Sequence, residues 1–172
     1  AQVVALTSLQ VSALKPVQLA ALDTATVAAM TSTQFAALNS TQLASFSTAQ
    51  VVAIETGDLR ALSPTALRGL GTDAIAALGT SQISALTTGQ IAGLSSTQMA
   101  AMETADIAAL TEMQAAALTS SQLAALNTAQ VAAIETADLR AMTSSALRAL
   151  GADAIAALTS SQVSALTSTQ LA

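Results

Sequence analysis

The chain has 172 residues, and its ten acidic and five basic residues give a net charge of −5, which argues against nucleic acid and anionic membrane surfaces as partners. Apolar residues make up 52% of the chain, but Cys, His, Tyr and Trp are absent. This composition excludes disulfide bonds and any site that uses histidine or cysteine as nucleophile, base or ligand.

One eight-residue repeat, the octad, runs from Val3 to Gln170 in 21 copies without an insertion or deletion. We number its positions from Val3, so that Leu6 lies at position four and Gln10 at position eight. Positions one and four are large and apolar in every copy except at Ala115, and position three is small. Position five is usually a small polar residue or Gly, and position eight is usually Gln. No apolar run approaches the roughly 18 residues of a membrane span, so we expect no membrane insertion.

The polar positions of the octad predict the start of a helix. Ser or Thr followed three residues later by Gln, just before an apolar run, is typical of a capping box. Pro16 and Pro64 fall at position six, which is the first helical residue in this register and tolerates proline. Gly71, Gly79 and Gly151 lie at position five, and we interpret them as left-handed residues that end the preceding helix.

The eight-residue period excludes one continuous helix, because eight residues advance the apolar face by about 80° beyond two full turns. The chain must therefore bend at each junction, and each octad forms one helix of about seven residues. Such a helix is stable only when it packs on its neighbours. We predict an all-α solenoid of very short capped helices over residues 1–172, as a segment of a longer array. A β-solenoid is the less favoured alternative, because Ala, Leu, Gln and Met favour helix.

A longer repeat overlies the octads, since residues 51–90 and 131–170 are identical at 27 of 40 positions. Their charged residues, which we call the two cassettes, are Glu55, Asp58, Arg60, Arg68 and Asp73, and then Glu135, Asp138, Arg140, Arg148 and Asp153. One hypothesis is a divalent-cation site of carboxylates. We favour solvated ion pairs between turns, with acids at helix N-termini, because arginines interleave with the acids. We therefore predict no metal ligand.

No motif in the chain predicts catalysis or a cofactor. Residues 69–74 match the pattern G-x-G-x-x-A, but no strand precedes them, and we interpret the match as chance. Ser and Thr are abundant but have no partner base, and Lys15 is the lone lysine. The Ser and Thr residues at positions five and six cap helices, or else form a hydroxyl array that binds ice or carbohydrate. We predict no catalytic, cofactor-binding or metal-binding residue, and no enzyme.

Two stretches of sequence resemble known repeats. Thr48–Ile54 resembles the first helix of a TAL-effector repeat, but the period near 34 and the basic lining of that family are missing, so DNA binding is not implied. The pattern in Ala117–Leu123 and Ala165–Leu171 is similar to octapeptide arrays of very large secreted, adhesin-like bacterial surface proteins. Some of these are labelled as haem-utilisation proteins, but this chain has no His, Cys or Tyr to bind haem iron.

This resemblance implies a structural role outside the cell or at the bacterial cell surface. We expect a spacer, stalk or filament segment, in which the number of octads sets the reach. The expected partners are further copies of the chain, joined end to end or in filaments, and cell surfaces or glycans. The alternative function is a binding module that uses the Ser/Thr array or the acidic cassettes.

Overall fold

The computed structural model describes residues 3–171, which form short α-helices after one turn of 3-10 helix at Val3–Ala5 and contain no strand. The helices are α1 (Ser8–Ser12), α2 (Pro16–Ala20), α3 (Thr24–Ala28), α4 (Ser32–Ala36), α5 (Ser40–Leu43), α6 (Thr48–Val52), α7 (Thr56–Ala61), α8 (Pro64–Leu67), α9 (Thr72–Ala76), α10 (Thr80–Ala85), α11 (Thr88–Gly93), α12 (Ser96–Ala101), α13 (Thr104–Ala108), α14 (Glu112–Ala116), α15 (Ser120–Leu123), α16 (Thr128–Ala133), α17 (Thr136–Ala141), α18 (Ser144–Leu147), α19 (Ala152–Ala156), α20 (Ser160–Ala165) and α21 (Ser168–Leu171). The predicted all-α class and the one helix per octad are confirmed.

The octad sets the start of each helix through its cap. In α15 the Thr119 hydroxyl accepts from the amide of Gln122 at 3.3 Å, and the Gln122 side chain accepts from the amide of Thr119 at 2.9 Å. Pro16 and Pro64 begin α2 and α8, as predicted. The helices have four to six residues, fewer than the predicted seven, because the chain leaves the helix before the polar residue that caps the next one.

The interpretation of the junction glycines is wrong. Gly71, Gly79 and Gly151 have φ angles of −66°, −82° and −69°, and no residue in the described part of the chain has a positive φ. All three are N-cap residues with extended backbone. The bend between octads therefore comes from an extended cap that follows a short helix, a conformation open to every residue type.

The helices wind into a solenoid in which each helix packs against the third one after it. Thus α4 packs on α7, α7 on α10, and α14 on α17. Hydrogen bonds from glutamine side chains to the preceding turn join residues 28 to 31 positions apart. A separation of 28 residues corresponds to three and a half octads, so the superhelical turn holds between three and four helices.

Positions one and four fill the interior, as predicted. From Val11 to Leu150 every residue at position one is buried, and from Met30 to Leu150 so is every residue at position four. Position three lies where successive turns approach closely. A Cβ atom at Gly69 would overlap the carbonyl group of Ser40 in the preceding turn. No helix in the described residues is long and apolar enough to cross a membrane.

Candidate functional site

The feature that distinguishes this solenoid is a row of glutamines at position eight, which we call the glutamine ladder. In each of them the side-chain amide nitrogen donates to the carbonyl group 28 residues earlier, at 2.7–2.9 Å. All but the last are buried. The ladder comprises Gln34, Gln42, Gln50, Gln82, Gln90, Gln98, Gln114, Gln122, Gln130, Gln162 and Gln170.

Each ladder residue stabilises its own helix and the turn before it at once. The Gln122 oxygen caps α15, while its nitrogen donates to the carbonyls of Ile91 at 2.7 Å and Leu94 at 2.9 Å. The capping role was predicted from the sequence, but the hydrogen bonds to the preceding turn were not. The signal was the frequent use of Gln and the absence of Glu at position eight, because a capping box accepts Glu equally well, whereas only the amide supplies a donor to the turn below.

Aspartate replaces glutamine at three rungs of the ladder. Asp58, Asp106 and Asp138 occupy position eight and are 8%, 3% and 4% exposed. The interpretation of the cassette acids as solvated is therefore wrong for Asp58 and Asp138. An ionised aspartate only accepts hydrogen bonds, so it offers no donor to the carbonyls of the turn below.

The three aspartates differ in the hydrogen bonds that their carboxylate oxygens accept. The Ser32 hydroxyl, 26 residues earlier, donates to Asp58 Oδ1 at 2.5 Å, and the amide of Glu103 donates to Asp106 Oδ2 at 3.1 Å. Asp138 Oδ2 is buried and has no hydrogen-bond partner. The residue 26 positions before Asp138 is Glu112, which carries a carboxylate where Asp58 finds a hydroxyl.

These surroundings alter the acidity of the buried carboxyls. Burial, together with the negative charges of Glu135 and Glu112, raises the pKa of Asp138 to about 6. Burial also raises the pKa of Asp106, against the lowering effect of the hydrogen bond from the amide of Glu103. Both side chains are therefore more easily protonated in the folded chain than in water, because burial penalises the charged form of each carboxyl.

The remaining cassette residues lie on the surface. Asp73 and Asp153 are in the first turns of α9 and α19, which confirms the prediction of acids at helix N-termini. Among the described residues, no hydrogen bond or ion pair joins an acid of the two cassettes to an arginine, so the expected ion pairs between turns are not formed. The exposed arginines are Arg60, Arg68, Arg140 and Arg148.

The other predicted site features have no special geometry. Residues 69–74 comprise the end of the connection after α8 and the first turn of α9, without the strand that a dinucleotide site requires. Lys15 is the N-cap residue of α2. No group of three or more acidic side chains in residues 3–171 is arranged to hold a metal ion.

Comparison with known families finds that the ALTTAQ repeat model matches this chain six times, over residues 16–48, 51–88, 76–102, 84–112, 99–133 and 131–168. These matches cover most of the 172 residues. No curated protein and no solved structure matches the chain.

Proposed function

Because the chain belongs to the ALTTAQ repeat family, and is a structural repeat protein, we propose that it serves as a spacer, stalk or filament segment of an extracellular or bacterial cell-surface protein. The observation that carries this proposal is the glutamine ladder. It joins successive turns through the same atoms at nearly the same distance, so that every octad adds the same increment of length. The resemblance to arrays in secreted adhesin-like proteins supports the location.

The construction of the solenoid suits a mechanical role. Packed helices lie 8–10 Å apart, so each superhelical turn adds roughly 9 Å of length. Pulling along the axis loads the ladder bonds of a turn together, such as those from Gln114 and Gln122 to the turn below. Such a segment keeps its length under tension until whole turns separate.

Insertion of whole octads tests this function. A tandem duplication of residues 51–130 adds ten octads, or about three turns, and should lengthen the particle by about 25 Å in small-angle X-ray scattering. The matched control adds 84 residues, so that a half-octad interrupts the register at the junction. We expect it to lower the melting temperature. Equal stability of the two insertions, or a length that does not grow with octad number, would contradict the proposal.

We also propose that the 172-residue chain associates end to end with further copies of itself. Near its last turn, Ile155 and Val163 are 49% and 47% exposed, although position one is buried from Val11 to Leu147, and they line an apolar groove. In the first turn, Gln10 and Gln18 cap their helices, and their side-chain nitrogens donate to no carbonyl of the described residues. A second copy stacked head to tail would supply the missing carbonyls and apolar surface.

Sedimentation velocity tests this association. The unmodified chain should form larger species as its concentration rises, and the double variant Ile155→Ser, Val163→Ser should remain a monomer. Val52→Ser is the matched control, because Val52 is 51% exposed on the outer face of α6 and should not alter assembly. A monomer at every concentration for the unmodified chain would show that the end surfaces do not stack.

A further inference from the structure

Helices α14 and α17 pack in the same way as α4 and α7, eighty residues earlier. Where α4 and α7 contribute a hydroxyl donor and a carboxylate acceptor, α14 and α17 contribute two carboxylates. In α4 and α7, the Ser32 hydroxyl donates to Asp58 Oδ1. In α14 and α17, Glu112 stands at the position of Ser32, as the first helical residue, and Asp138 stands at the position of Asp58. The substitution removes the donor, and Asp138 Oδ2 is left buried without a partner.

From the register of the solenoid we expect a third oxygen at the same place. Each glutamine of the ladder donates to the carbonyl 28 residues earlier, and for position 138 that carbonyl belongs to Leu110. No backbone or side-chain donor of the described residues bonds to the Leu110 oxygen. The Asp138 and Glu112 carboxylates and this carbonyl are all acceptors, so only a positively charged or proton-donating species can lie between them.

We propose that Glu112, Asp138 and the Leu110 carbonyl oxygen bind a divalent cation of the calcium type between α14 and α17. Carboxylate and carbonyl oxygens are the ligands that calcium takes, in an adaptable geometry that a site made from two helix turns can meet. Glu135, the exposed N-cap residue of α17, adds negative charge beside Asp138.

The neighbouring arginine does not take the place of the cation. Arg140 lines the same surface groove as Glu112, and its side chain is exposed. The Asp138 Oδ2 atom nevertheless has no partner, so Arg140 forms no hydrogen bond with it. A site with few protein ligands that opens to a groove binds weakly, and we expect a dissociation constant of about 10⁻⁴–10⁻³ M, as in extracellular calcium modules.

Thermal unfolding at pH 7.5 tests the site. With a dissociation constant of about 1 mM, roughly 10 mM calcium chloride should raise the melting temperature by about 3–5 °C, and EDTA should reverse the rise. Glu112→Ser reproduces the arrangement at Asp58, and Asp138→Gln restores the glutamine ladder. Both variants should fold at least as stably as the parent in EDTA, as judged by circular dichroism, and should lose the calcium response.

The converse variant strengthens the test. Ser32→Glu should give Asp58 the same carboxylate pair and create a second calcium response of similar size. The proposal is overturned if calcium leaves the parent unchanged, or if the response persists in both Glu112→Ser and Asp138→Gln. It is also overturned if the parent responds only to acidification, because the two carboxylates would then share a proton instead of a cation.

Discussion

Removal of one rung of the glutamine ladder should destabilise the chain by more than the loss of a helix cap. In Gln122→Met the side chain keeps its approximate volume but loses its bonds to the carbonyls of Ile91 and Leu94 and to the amide of Thr119. The Leu94 carbonyl then has no other donor, since no backbone amide in the described residues bonds to it.

The size of the effect follows from these bonds. Each lost hydrogen bond costs about 0.5–1.5 kcal/mol net, and a buried acceptor left without a partner costs about 1–3 kcal/mol. Gln122 is 1% exposed, so water does not replace the lost contacts. We expect a loss of about 2–4 kcal/mol in the free energy of unfolding, and a fall of about 5–15 °C in the melting temperature.

Gln10→Met is the matched control, measured by urea and thermal unfolding under the same conditions. Gln10 accepts from the amide of Thr7 at 2.9 Å in the same capping box, but its side-chain nitrogen donates to no carbonyl of the described residues. Its replacement should cost about 1 kcal/mol or less. If the two variants lower the melting temperature equally, the glutamines act only as caps and the ladder does not stabilise the solenoid.

Three further predictions concern the interior and the aspartates. Leu118→Asp should unfold neighbouring octads in circular dichroism, since it buries an unpaired charge at a site 4% exposed, whereas Ser121→Asp on the exposed face should melt like the parent. Asp106→Gln should raise the free energy of unfolding by about 1–2 kcal/mol in urea, because it restores a donor to the turn below. Asp138 is harder to ionise in the folded chain than in the unfolded one, so its contribution to stability is present below about pH 4 and is lost as the pH rises through about 6. Urea titrations of the parent should show this loss of about 1–3 kcal/mol, and Asp138→Gln should not.

The octad predicted the local structure well because the interactions that determine the start of each helix lie within one short segment. The capping pattern located the helix starts, and Pro16 and Pro64 set their register. The small third position predicted close approach of the turns, which the contact between Gly69 and Ser40 shows. The junction glycines misled because Gly is also compatible with an extended N-cap, and the sequence does not distinguish that conformation from a left-handed one.

The connections between turns were not predictable from the octad alone. The hydrogen bonds of the ladder span 28 residues, which is not a whole number of octads, so no periodicity in the sequence marks their partners. For the same reason the relation of Ser32 to Asp58, and of Glu112 to Asp138, appears only once the turns are stacked. The charges of the cassettes could be identified from the sequence, but which of them are buried depends on the superhelical register.

The half-octad offset explains how a repeat of only eight residues builds a continuous solenoid. Stepping back 28 and 31 residues from position eight leads to positions four and one, the two positions whose side chains fill the core. Each glutamine therefore bonds to the backbone of the residues whose side chains fill the interior. The register that satisfies the glutamine hydrogen bonds is thus the same register that buries the apolar side chains. A shift of the turns by one residue would place the amide against other carbonyls and carry apolar side chains outward together. An array with this property can lengthen or shorten by whole octads without changing its cross-section, which is the behaviour that a spacer requires.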